Sequence, residues 1–184
     1  MALTTSMEMA KGTLAPKFSL IDTISEDELS YNKVKGDKGT VVMFICNHCP
    51  FVVHINEKIV EIANTYLAKG VGFVAISSND VENYPQDAPG MMKIHAEELE
   101  YPFPYLYDET QAVAKSYNAA CTPDIFVFNA NDELYYHGQI DDSRPGNDLP
   151  TDGKDLINAL NLMVSKKDFQ GKELPCVGCG IKWK

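Results

Sequence analysis

Thr40-Val-Val-Met-Phe-Ile-Cys46-Asn-His-Cys49-Pro50-Phe51 is the stretch from which the rest of the chain can be placed. Residues 40–45 are apolar or β-branched without alternation, the pattern of a strand covered on both faces in a parallel sheet. Two cysteines follow at once. After them Ile55, Ile59, Ile62 and Tyr66 recur at steps of four, three and four, with Val52, Ala63 and Leu67 beside them, as far as the stop at Gly70. Val71-Gly-Phe-Val-Ala-Ile-Ser77 is a second buried-strand pattern, so the segment predicts a right-handed strand–helix–strand crossover. Pro50 falls in the first helical turn, where its missing N–H costs nothing.

Downstream, Asn79 to Gly90 reads as a loop, Met91 to Leu99 as a helix and Tyr105–Tyr107 as a short strand. Asp108 with Gln111 three residues on predicts a capping box and a helix to about Tyr117. Residues 124–129 and 133–138 flank Ala130-Asn-Asp132 and predict a hairpin. A last helix is expected over Gly153–Ser165 with Leu156, Leu160 and Met163 on one face. One domain is expected over 1–184, with a core from about 12 to 165 and an irregular tail, 166–184.

The 184 residues carry 16 basic and 26 acidic side chains, a net charge of -10. Such a surface repels phosphate backbones and anionic lipids, so neither nucleic acid nor membrane is an expected partner. The opening residues hold no apolar run of signal-peptide length, which places the chain by expectation in the cytoplasm. Five cysteines are an odd number, and four form two Cys-x-x-Cys units, Cys46/Cys49 and Cys176/Cys179, with Cys121 alone. In a cytosolic setting that pattern points to redox chemistry or a metal, not to a disulfide framework.

A thiolate at a helix N-terminus is stabilised by unpaired N–H groups and the macrodipole, and a protonated His48 would add to this. Cys46 is therefore expected to be the exposed, low-pKa nucleophile. Cys49, one turn into the helix and more buried, is expected to resolve the mixed disulfide.

The strand, the CNHCP sequence, the long helix and Cys121-Thr122-Pro123-Asp-Ile-Phe-Val-Phe128 together resemble the thioredoxin-fold superfamily. Within it they resemble the AhpC/TSA-type peroxiredoxin-like thioredoxin proteins, as do Gly12 to Asp22 at the start of the chain. Tyr101–Asp108, Asp141–Asp148 and Gly180–Lys184 resemble one subgroup of that branch. The resemblance implies an α/β fold with a central mixed sheet flanked by helices, and a cis bond between Thr122 and Pro123 that sets the Thr122 backbone opposite Cys46. It implies thiol–disulfide chemistry in cell redox homeostasis, with Asn47, His48, Pro50, Thr122 and Pro123 shaping the site and no cofactor. Its partners would be protein or small-molecule disulfides and an electron-donating thiol system.

Two other readings stand beside it. A thiol peroxidase of the antioxidant, peroxiredoxin type would act on peroxides, but its Pro-x-x-x-Thr/Ser-x-x-Cys motif is not met. Counting back from Cys49 finds Cys46 and Val42, and counting back from Cys46 finds Met43 and Gly39. Arg144 is the lone arginine and lies far from the expected place. The third reading is a Cys₄ metal module built from Cys46, Cys49, Cys176 and Cys179. The chain also departs from ordinary thioredoxins, with Asn47-His48 between the cysteines and Thr40 where those proteins bury an acid.

Around Gly178 the second pair reads as a flexible turn that could close its own disulfide, relay electrons to Cys46, or simply pack. Cys121 reads as a small buried residue or a third redox partner. His54, His95 and His137 read as satisfied structural residues, and Arg144 as an ion-pair turn among Asp141, Asp142 and Asp148.

Overall fold

The computed structural model describes residues 3–184. It begins with β1 (Leu3–Thr5), β2 (Ser19–Asp22), β3 (Glu28–Ser30) and the short α1 (Tyr31–Val34). The crossover follows as β4 (Gly39–Phe44), α2 (Pro50–Leu67) and β5 (Val71–Ser77). Next come a 3₁₀ turn at Pro85–Asp87, α3 (Pro89–Glu98), β6 (Tyr105–Tyr107) and α4 (Ala112–Ser116). The chain closes with β7 (Cys121–Thr122), β8 (Asp124–Asn129), β9 (Leu134–His137), α5 (Lys154–Val164) and β10 (Val177–Gly180).

The central sheet is mixed, with β3-β2-β6-β5 on one side and β4-β8-β9 on the other. The Ile45 N–H bonds Ile76 O at 3.0 Å where the halves meet. The unbroken apolar run of β4 is buried at every residue, and its ladder partner β8 runs antiparallel, Val41 opposite Val127. Period two sends its side chains alternately to the two faces. Val41, Met43 and Ile45 join α2, α3 and α5 in one core layer, while Val42 and Phe44 join Tyr31, Tyr117, Phe126 and Phe128 in the other. In that second layer the Tyr117 ring stands edge-on to Phe44 and Phe126 at centroid distances of 5.4 and 5.5 Å. Helix α2 buries Ile55, Ile59, Ile62 and Tyr66, the face its spacing predicts. Helix α5 likewise buries Leu156, Leu160 and Met163.

Two expectations are corrected. The capping box does not form, because Gln111 is itself the N-cap of α4 in a left-handed conformation (φ 62°) and its amide donates to Ser78 O and Lys182 O. Asp108 caps the helix instead, accepting from the Val113 and Ala114 N–H groups, while the Thr110 hydroxyl accepts from the Ala112 N–H. The end of the tail, expected to be irregular, is strand: β10 lies antiparallel between β1 and β7, with Cys179 opposite both Leu3 and Thr122. The glycines there permit close approach and make no turn, since a Cβ on Gly178 would sit 2.0 Å from Thr122 O.

Candidate active site

Where β4 ends, the chain runs over Cys46, Asn47 and His48 to Cys49, which is the N-cap residue of α2; its carbonyl accepts from the Val52 and Val53 N–H groups. Cys49 thus sits at the helix N-terminus itself and not one turn into it. Contrary to the sequence expectation, Cys46 is not exposed: it is 2% accessible and Cys49 0%. The segment is held down from the loop beyond β5. The buried Asp87 carboxylate accepts from the Asn47 N–H at 2.9 Å, and Asn47's own amide donates to Gln86 O at 2.8 Å and accepts from the Tyr105 hydroxyl at 3.1 Å.

The Thr122–Pro123 peptide bond is cis, as the resemblance implied. It brings Thr122 against both sulfurs: the Cys49 S–H donates to Thr122 O at 3.0 Å, and Cys46 Sγ lies 3.4 Å from Thr122 Oγ1. On the far side of Thr122, β10 brings up Cys179, which hydrogen bonds to Cys49.

These contacts divide the two thiols. A hydrogen bond from Cys46, opposed by burial and reinforced by the bonds from Cys179 and Thr122, draws the Cys49 thiol down. Cys46 is pushed far up by its hydrogen bond to Cys49, by burial and by the negative charge of Asp87. The sulfurs titrate as a pair, each setting the other's proton affinity. Burial pushes Cys179 up to about 11, helped by its bond to Cys49.

Residues 10–156 match the Redoxin family. The chain belongs to that family. This redoxin is similar over its whole length, at 50% identity and a TM-score of 0.98, to an uncharacterized conserved protein from Geobacillus kaustophilus, covering 97% of that chain. It is 39% identical to a hypothetical protein from Sinorhizobium meliloti, with 98% of each chain covered and a TM-score of 0.96. The thioredoxin domain of a thiol-disulfide oxidoreductase from Bacteroides vulgatus shares the fold at 21% identity, with 72% of this chain and 90% of that one covered and a TM-score of 0.60. Structural neighbours at that distance include thiol–disulfide oxidoreductases and peroxiredoxin-like proteins alike. No curated protein sequence matches this redoxin.

The remaining candidates separate. Cys121 is buried in β7 and donates weakly to Pro123 O at 3.5 Å, and burial together with the charge of Asp124 raises its thiol well above the ordinary range. Cys176 is buried and donates to Gly138 O at 2.9 Å. Because Cys176 and Cys179 are three residues apart in extended chain, they point to opposite sides, and of the three readings of the pair a turn-closed disulfide does not fit. Nor do the four sulfurs of the Cys₄ alternative gather. Among the described residues, one group of three or more donors meets within 4.8 Å, and it is Cys46, His48 and Asp87.

His54 bonds Ser143 Oγ at 3.0 Å, His95 lies 3.3 Å from the Asn56 amide, and His137 pairs with Asp124 at 2.7 Å, each satisfied as expected. The Arg144 ion-pair turn is not formed: its guanidinium donates to the Asp141 and Ser143 carbonyls and to Gln139 Oε1.

Sequence reading missed two buried residues that shape the site. Asp87 sits in the stretch that reads as a loop, and no residue pattern marks it as buried. Asn79 donates to Asp87 Oδ2 at 2.8 Å and accepts from the Lys182 N–H at 2.9 Å, tying the C-terminal segment to the site. Thr40, at the position where thioredoxins bury an acid, accepts from the Gly36 N–H at 3.3 Å. A buried carboxylate is present nonetheless, supplied by Asp87 from another part of the chain.

Among the described residues no helix is long and apolar enough to cross a membrane.

Proposed function

We propose that this redoxin is a thiol–disulfide oxidoreductase that cycles Cys46 and Cys49 between dithiol and disulfide. The observation that carries the reading is the convergence of both sulfurs on Thr122 beside the cis-proline, 3.0 Å from its carbonyl oxygen and 3.4 Å from its hydroxyl. Cys46 is the attacking sulfur, since Cys49 is enclosed by Thr122, Cys179 and the start of α2. Cys46 gives up its proton to solvent as its Sγ attacks one sulfur of the incoming disulfide. The substrate S–S bond breaks, and its second sulfur leaves and takes up a proton. Cys49 then gives up its proton, attacks Cys46 and expels the first sulfur. The protein dithiol is oxidised to a disulfide and the substrate is reduced to two thiols. An electron-donating thiol system restores the dithiol. Protein or small-molecule disulfides are the substrate class, with Asn47, His48, Pro50, Thr122 and Pro123 shaping the approach.

Arg144, which a peroxidase would aim at the peroxide, spends its donors on neighbouring carbonyls and Gln139. Exchange is therefore favoured over peroxide reduction. Reduced protein should cleave an aromatic disulfide with release of its coloured thiol, and Cys46→Ser should abolish that release. In stopped flow, hydrogen peroxide should oxidise the pair no faster than a free thiol. Full exchange activity in Cys46→Ser would overturn the assignment, and rapid peroxide consumption would overturn the preference for exchange.

A further inference from the structure

The turn at Pro85–Asp87 puts a fully buried carboxylate beside a buried thiol, an arrangement that opposes thiolate formation and calls for a compensating positive charge. We propose that Cys46, His48 and Asp87 form a binding site for a divalent transition-metal ion of the zinc type, occupied while the cysteine pair is reduced.

The three donor atoms lie within 4.8 Å of one another. Donors around a tetrahedral zinc are about 3.3–3.8 Å apart, so rotamer shifts of about 1 Å bring the group onto an ion. The carboxylate is already oriented as metal-binding carboxylates are, by bonds from the Asn47 N–H (2.9 Å) and the Asn79 amide (2.8 Å). His48 Nδ1 is buried 2.7 Å from Asp87 Oδ2, close enough for the two atoms to share a proton or a cation. A bound metal ion would take the place of that proton. The ring is fixed by near-parallel stacking on Tyr84, 8° apart in plane with centroids 5.6 Å apart. Its side chain is 17% accessible and gives the ion a way in.

A thiolate, a carboxylate and a neutral imidazole carry two negative charges, which a divalent ion cancels. One sulfur and one nitrogen in the set favour zinc or cobalt over magnesium or calcium, which take oxygen donors. Binding exchanges the Cys46 proton for the metal and releases that proton to solvent. A disulfide between Cys46 and Cys49 would remove the thiolate ligand and eject the ion, and this redox dependence alone rests on the proposed function.

The test uses full-length protein reduced with a phosphine and titrated with zinc chloride against a coloured competing chelator, with cobalt chloride as a spectroscopic probe. One equivalent should bind, with a near-ultraviolet thiolate-to-cobalt band that Cys46→Ser removes. His48→Gln and Asp87→Asn should each weaken zinc binding by about tenfold or more, as ligand losses do. Circular dichroism shows which variants fold, and His48→Gln alone decides the matter if Asp87→Asn does not. Cys176→Ser should bind as the unaltered protein does. Reduced protein that binds no zinc, or binding that His48→Gln leaves unchanged, would overturn the site while leaving disulfide exchange untouched. Loss of exchange chemistry with zinc binding intact would overturn only the redox reading.

Discussion

Gly178 packs on Thr122 so closely that a single added methyl would lie 2.0 Å from the threonine carbonyl oxygen. That oxygen is also the acceptor for Cys49. The C-terminal strand and the cysteine pair therefore meet on one peptide group, and the tail is part of the site's wall. Gly178→Ala is expected to displace β10 and cost about 1–3 kcal/mol, the range for overpacked buried positions. Urea unfolding measures the loss, and labelling of Cys179 by a thiol reagent should speed up as the strand lifts. An unchanged midpoint with unchanged labelling would contradict the close packing.

Asn79 links two segments far apart in sequence, bonding Asp87 through its amide nitrogen and the Lys182 N–H through its oxygen. Asn79→Ala leaves a buried carboxylate oxygen and a backbone N–H without that partner, at a cost of about 1–3 kcal/mol. Hydrogen exchange should show earlier opening at residues 177–184 than in the unaltered protein. Opening confined to the N-terminal strand would argue against the link.

Asp132 accepts from Lys17 at 2.8 Å, Lys35 at 3.2 Å and the Tyr31 hydroxyl at 3.1 Å. Partial burial pushes its carboxyl up, but the two lysines outweigh this and hold it below the usual carboxylate value. A folded-state pKa below the unfolded one contributes stability above the unfolded value and loses it as pH falls through the folded one. Solvent screens these lysines, so Asp132→Asn should cost about 0.5–1 kcal/mol near pH 7. Denaturant midpoints of the two proteins should converge below about pH 3. A gap that widens on acidification would refute the sign.

Much of this architecture can be read along the chain because its evidence is local. The apolar run of β4 and the spacing of Ile55, Ile59, Ile62 and Tyr66 in α2 each settle an element within twenty residues. Features made by distant pairing are not legible in that way. Cys176-Val-Gly-Cys179 looks like a turn until β1 and β7 close on it, and the glycine that suggests flexibility is there for contact. Gln111 looks like a capping residue because its reach to Ser78 and Lys182 depends on where the tail comes to rest. The exposure of Cys46 is misjudged for a related reason: the turn at Pro85–Asp87 and Asn47's bonds to it cover the helix start. The cis-proline came through the family resemblance alone, since nothing else in the residues around Thr122 announces it.

In the proposed exchange Cys46 attacks and Cys49 resolves. Incubating reduced Cys49→Ser protein with a peptide disulfide and mapping the adduct by mass spectrometry tests this directly. The expected result is a stable mixed disulfide on Cys46, absent from the unaltered protein. An adduct on Cys179 or Cys121 with Cys46 unmodified would contradict the account.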